Sequence, residues 1–101
     1  MRYGEIKIGK ILIGDEHPPA LIAEVGSNHD GSLRQARELI QSASEAGADA
    51  VKFQLFHPED LYPRGTPDYA AVAQFTLPRD WLPELKLTAE MCGIEFLASA
   101  F

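Results

Sequence analysis

The sequence predicts an α/β protein built on a parallel sheet. Three short apolar runs of strand character, at residues 21–25, 49–55 and 94–99, alternate with two segments whose apolar residues recur at the helical period. Strand, helix, strand, helix, strand at this spacing closes as consecutive right-handed βα units. A further stretch, residues 3–14, alternates polar and apolar side chains and reads as a separate β-hairpin in front of them.

In YGEIKIGKILIG the alternation is interrupted only at Gly9-Lys10, the expected turn. Asp15-Glu16-His17-Pro18-Pro19 then ends the pattern, because two prolines stop helix and sheet alike. The chain therefore divides into a hairpin unit at 1–16 and a βαβαβ unit at 20–101. Within the second unit, Leu21 to Val25 is a strand broken by Glu24, and Gly26-Ser27-Asn28-His29-Asp30-Gly31 is a loop. Ser32-Leu33-Arg34-Gln35 fits a capping box, in which the Ser32 hydroxyl and the Gln35 side chain satisfy each other's backbone N–H groups. Leu33, Ala36, Leu39, Ile40, Ala43 and Ala46 form the apolar face of a helix over 32–46, and Gly47 stops it. Residues 49–55 form the second strand. Residues 56–76, with His57-Pro58, Tyr62-Pro63 and Gly65-Thr66-Pro67, form a long loop in which 68–74 can wind into a turn or two of helix. The second helix should begin near Asp80, because Pro83 then falls in its first turn, where a missing N–H costs nothing. Leu82, Leu85, Ala89 and Cys92 share its inner face, and Gly93 ends it before the third strand.

A chain of 101 residues with 46% apolar and 24% charged residues is neither disordered nor of low complexity. It buries roughly two-thirds of its unfolded surface, enough for one modest core. No apolar run approaches the ~20 residues of a membrane helix, and Met1-Arg2-Tyr3-Gly4-Glu5 lacks the apolar region of a signal peptide. A cytoplasmic location is expected, with no membrane partner. A net charge of −6 and no Lys/Arg cluster argue against nucleic acid. Cys92 is alone, so an internal disulfide is excluded and a buried helix position is its simplest reading. His17, His29 and His57 show no metal-ligand spacing; His17 and His57 read as surface histidines, whereas His29 lies at a strand end.

Side-chain alternation puts Ala50, Lys52 and Gln54 on one face of the second strand and Val51, Phe53 and Leu55 on the other, the natural seat for helices. A cation and an amide thus occupy the opposite face of a strand expected to be buried on both sides. Ile22, Glu24 and Gly26 share a face in the first strand, and Glu24 lies toward its C-terminal end, where parallel α/β sheets build their sites. Glu24 and Lys52 are therefore the functional candidates, weighed evenly against a buried Lys–Glu pair with a purely structural role. The 26–31 loop lacks phosphate-loop spacing and reads as an ordinary capped βα connection. Trp81, with Leu85 four residues on, reads as packing.

Three segments carry a family resemblance: Ala23-Glu24-Val25-Gly26-Ser27-Asn28-His29-Asp30-Gly31-Ser32, Glu45-Ala46-Gly47-Ala48-Asp49-Ala50-Val51-Lys52-Phe53-Gln54, and Gly93-Ile94-Glu95-Phe96-Leu97-Ala98-Ser99. Together they resemble the N-terminal part of the sialic acid synthase family, over nearly the whole chain. The third strand end departs from the family's Ser-Thr-Pro-Phe, reading Ala98-Ser99-Ala100-Phe101. The resemblance implies a (β/α)₈ TIM barrel closed below by an N-terminal hairpin, of which this chain carries the hairpin, three strands and two helices. It also implies condensation of phosphoenolpyruvate with an N-acetylated amino sugar, N-acetylmannosamine or a relative, aided by Mn²⁺ or Mg²⁺. Carried over by position, it makes Lys52 a ligand of the phosphoenolpyruvate anion and Glu24 a catalytic carboxylate. Gln54, Asn28 and His29 become substrate contacts, and the metal ligands are expected beyond Phe101.

A complete barrel takes ~250 residues, so the chain is expected to be a segment of a synthase, inactive alone and a homodimer when complete. The alternative is a non-catalytic assembly or binding module derived from such a barrel. The reading frame after the codon for Phe101 discriminates them: further metal-binding histidines support the enzyme, a stop codon the module.

Overall fold

The computed structural model describes residues 4–101; the first three residues of the expected hairpin unit lie outside the described residues. Strands β1 (Ile6–Ile8) and β2 (Ile11–Ile13) pair antiparallel, with Ile6 opposite Ile13 and Ile8 opposite Ile11. Gly9 takes φ +55° at the first turn position, where a two-residue hairpin turn calls for glycine.

The second unit is a parallel sheet of β3 (Ile22–Gly26), β4 (Ala50–Leu55) and β5 (Glu95–Ala100), in that spatial order. Helix α1 (Leu33–Glu45) connects the first two strands. Between the last two come α2 (Pro58–Leu61), α3 (Pro67–Ala73), a 3₁₀ turn at Arg79–Trp81, and α4 (Leu82–Met91). Within the segment expected to be mostly loop, α3 is the turn or two of helix expected over 68–74, capped by the Thr66 hydroxyl accepting from the Tyr69 N–H at 3.2 Å, whereas the short α2 is an addition. Pro83 lies in the first turn of α4 as expected, the 3₁₀ turn leading into it.

The core forms where α1 and α4 cover one face of the sheet. Val51, Phe53 and Leu55 meet Ala36, Ile40 and Ala43 from α1 and Leu85 and Ala89 from α4, and Phe53 stacks on Phe96 at 5.5 Å between centroids. Phe53, Ile40 and Leu85 are fully buried, each contributing about 1.5–3 kcal/mol of transfer free energy. The two helices are tied by the Ser44 hydroxyl donating to the Cys92 carbonyl at 2.8 Å and by an Arg37–Glu84 ion pair. Cys92 is half-buried at the α4 C-cap rather than fully buried within the helix, and Ala46 is an exposed C-cap rather than part of the α1 apolar face. Each still donates its N–H four residues back, Ala46 to Ser42 and Cys92 to Thr88, but as the last residue of its helix to do so it lies at the edge of the apolar face rather than within it.

The other face of the sheet departs from the expectation of burial on both sides. Ala50 is buried there, but Lys52 and Gln54 are half-buried and Ile22 is exposed, because no layer covers them. The hairpin meets the sheet at the start of β5, where the Lys10 N–H donates to Glu95 Oε1 at 2.8 Å. A Cβ on Gly9 would lie 2.3 Å from that carboxylate, so the turn approaches as closely as a glycine permits. No helix among the described residues is long and apolar enough to cross a membrane.

Candidate functional site

Glu24 and Lys52 are register partners on β3 and β4, and their side chains meet on the uncovered face with Lys52 Nζ 3.2 Å from Glu24 Oε2. The pair is not buried: 50% of the Glu24 side chain and 37% of the Lys52 side chain remain accessible. At that exposure an ion pair contributes roughly 0–1 kcal/mol. Fold stability is thus a weak reason for the pair, and the half-solvated charges are free to meet a ligand.

Just past Glu24 the register slips, so that Gly26 rather than Val25 stands opposite Phe53. This bulge turns Val25 into the core and lets Gly26 adopt φ +53°. A Cβ on Gly26 would lie 3.5 Å from Glu24 Oε1 and 3.6 Å from Gln54 Cδ. Any side chain there would occupy the space between carboxylate and amide. Ser27, next in the chain, donates from its hydroxyl to Gln54 Oε1 at 3.3 Å. Glu24, Lys52 and Gln54 therefore share one face of adjacent strands, as strand parity assigns them, with Glu24 and Lys52 at mid-strand and Gln54 toward the C-terminal end of β4.

The loop residues behave differently. Asn28 is exposed, while its carbonyl accepts from Gln35 Nε2 at 2.7 Å and its N–H donates to the Val25 carbonyl at 2.9 Å. His29 has no exposed surface. Its Nδ1 accepts from the Gly31 N–H at 3.0 Å, and its ring meets Trp81 edge-on, centroids 5.6 Å apart and planes at 80°. The substrate contact expected at His29 is thus not presented to solvent, because the ring is turned inward to hold its own loop. Burial pushes the His29 pKa below its ordinary value, against opposing contributions from the Asp30 carboxylate and the Phe75 backbone. Of the other histidines, His17 Nε2 lies 2.8 Å from Glu5 Oε2, and His57 lies against Arg79 at 3.4 Å.

Ser99, not singled out from the sequence, pairs in register with Gln54 and is half-buried. Strand parity over 94–99 was the signal that could have found it, since Ser99 falls two residues beyond Leu97, the partner of Lys52. Beside Ser27 and Gln54 a shallow hollow of about 200 Å³ opens between Phe56, Val72, Phe75 and Phe101. Among the described residues no three His, Cys, Asp or Glu side chains gather into a group able to hold a metal ion. The ligands of the divalent cation implied by the family resemblance are expected beyond Phe101.

Three known proteins are similar to this chain. An uncharacterized protein of Methanocaldococcus jannaschii is 38% identical over 95 residues, covering 94% of this chain and 28% of that protein. The N,N'-diacetyllegionaminic acid synthase of Legionella pneumophila is 35% identical over 95 residues, covering 80% of this chain and 27% of the synthase. The crystal structure of an N-acetylneuraminic acid (sialic acid) synthetase from Leptospira borgpetersenii superimposes with a TM-score of 0.88 at 33% identity, covering 96% of this chain and 34% of that one. The chain therefore spans about a third or less of the proteins it matches. Residues 39–101, more than half of its length, match the NeuB family model, and the chain belongs to the NeuB family.

Proposed function

We propose that this chain supplies the first part of a TIM-barrel synthase that condenses phosphoenolpyruvate with an N-acetylated amino sugar, giving a sialic-acid-type nonulosonic acid and phosphate. The observation that carries the reading is the half-solvated Glu24–Lys52 pair, 3.2 Å apart beside Gln54 on the uncovered face of the sheet. The names of the Legionella and Leptospira relatives support the product class. In this reading β3, β4 and β5 are the first three barrel strands, and the hairpin of residues 1–16 closes the barrel floor, consistent with its bond to Glu95 at the start of β5.

Lys52 offsets the negative charge of phosphoenolpyruvate and holds it against the strand ends. As C3 of the enol bonds to the aldehyde carbon, whose oxygen takes up a proton, Glu24 orients the water that adds at C2 and takes its proton, and the tetrahedral carbon so formed expels phosphate. With Oε1 engaged by Ser27, Gln54 is left its amide NH₂ to donate to a sugar hydroxyl. The test is Lys52→Ala in a full-length synthase carrying this segment. The KM for phosphoenolpyruvate is expected to rise and turnover to fall while the fold persists; unchanged phosphoenolpyruvate kinetics would return Lys52 to a structural role.

A further inference from the structure

The β3–α1 loop contains a feature that its sequence does not announce and that the Glu24–Lys52 chemistry does not use. Loops run over the surface, since buried ones strand their backbone polar groups, and in this loop Asn28, Asp30 and Gly31 are indeed exposed. His29 between them is wholly buried. It reaches out of the loop into the segment before α4, meeting Trp81 edge-on at 5.6 Å. Because Nδ1 accepts the Gly31 N–H, the proton of the neutral ring sits on Nε2. Nε2 is itself buried without a hydrogen-bond partner at bonding distance, as is the Thr76 hydroxyl of the same segment. With only the Phe75 backbone near it to receive that proton, the imidazole is held mainly by packing, and what it fixes is the loop.

The loop is fixed elsewhere too. Gln35 Nε2 donates to the Asn28 carbonyl at 2.7 Å and to Asp30 Oδ2 at 3.1 Å, Asp30 takes the left-handed φ of +52°, and Ser27 bonds the Gln54 amide. We propose that His29 and Trp81 form a latch between the β3–α1 loop and the segment before α4, and that through Ser27 this latch sets the orientation of the Gln54 amide. Both are positioning residues, since neither reaches the uncovered face itself. The consequence for the sugar rests on the function proposed above, whereas the latch and its hold on Gln54 do not.

Protonation of His29 removes Nδ1 as an acceptor for the Gly31 N–H and charges a buried ring, so the latch opens as pH falls. The charged groups around the ring are few. Asp30 on the loop itself favours the protonated ring, and the facing segment offers the Phe75 backbone and the Trp81 indole. Its own ionised residues, Arg79 and Asp80, are exposed, Arg79 lying against His57. With the His29 pKa lowered from 6.5 by burial, the opening belongs below pH 6.5.

The test is an NMR titration, between pH 5 and pH 8, of a full-length synthase carrying this segment, selectively labelled at histidine, glycine, serine and glutamine. The His29 ring, the Gly31 and Ser27 amides and the Gln54 side-chain NH₂ are expected to shift with one common midpoint below 6.5. In Trp81→Leu the Ser27 and Gln54 signals should already sit at their acid positions at pH 7, and Trp81→Phe, which keeps an aromatic ring, should restore the wild-type titration. Ser27 and Gln54 signals that ignore the His29 titration would overturn the proposal, as would a His29 midpoint at or above 6.5. Should Trp81→Leu fail to fold, the wild-type titration decides alone. Since none of these readouts is an activity, failure of the latch is distinguishable from failure of the synthase reading.

Discussion

Half in solvent and 3.2 Å from Lys52, the Glu24 carboxylate contributes little to folding and keeps the capacity to accept a proton. Glu24→Gln preserves size and hydrogen bonding while removing the charge. In a full-length synthase it is expected to lower turnover by ~10² or more, and steady-state kinetics across pH 6 to 9, a window above the ordinary carboxylate range, would show whether it does. His29 gives a second prediction, on stability. Its neutral form is favoured by burial, so the unfolded chain binds its proton more readily than the folded one. Stability is therefore full above pH 6.5 and declines as pH falls below it, and urea midpoints at pH 7.5 and 5.5 should differ in that sense, with His29→Gln flattening the difference. Lys52, Glu24 and Gln54 were legible in the sequence because strand parity alone puts them on one face. The fate of His29 was not, because it depends on Trp81, 52 positions away in the chain.

At the α1 N-terminus only one half of the expected reciprocal cap forms. The Ser32 hydroxyl accepts from the Gln35 N–H at 3.1 Å, but the Gln35 side chain turns to Asn28 and Asp30, and the Ser32 N–H donates to the His29 carbonyl at 3.0 Å. The loop backbone has taken the role assigned to Gln35, which frees Gln35 to brace the loop. Ser32→Ala should cost about 1 kcal/mol, the usual value of an N-cap, read as a lower denaturation midpoint with an unchanged m-value. The elements themselves were readable from period and punctuation, and α1 and α4 lie where apolar spacing and Pro83 put them. Less readable was the 56–76 segment, where prolines at helix N-termini look the same in sequence as prolines in an irregular loop.

The whole molecule is extended for its length, with a Cα radius of gyration of 15.7 Å and extents of 53 × 29 × 20 Å, against about 13 Å for a compact domain of 100 residues. Its sheet explains part of this: β3 and β5 are both edges, one face lacks a covering layer, and Leu21, Ile22 and Phe101 are exposed. Unpaired edges and open apolar surface favour association between chains. The 101-residue chain is therefore expected to sediment as a concentration-dependent mixture rather than a monomer and to show no synthase activity, since its candidate residues line an open face. Fold class was legible from local pattern, but overall shape was not, because periodicity reports which face of a strand is apolar and not whether a neighbouring layer covers the other. The hairpin at the opposite end makes a different point. Lys10 holds Glu95 through its backbone N–H, so nearly any residue except proline could replace it, whereas a Cβ on Gly9 would meet the Glu95 carboxylate. Drift in this sequence would thus be permissive at position 10 and closed at position 9, where a φ of +55° strains any L side chain even if the flexible Glu95 carboxylate moved aside.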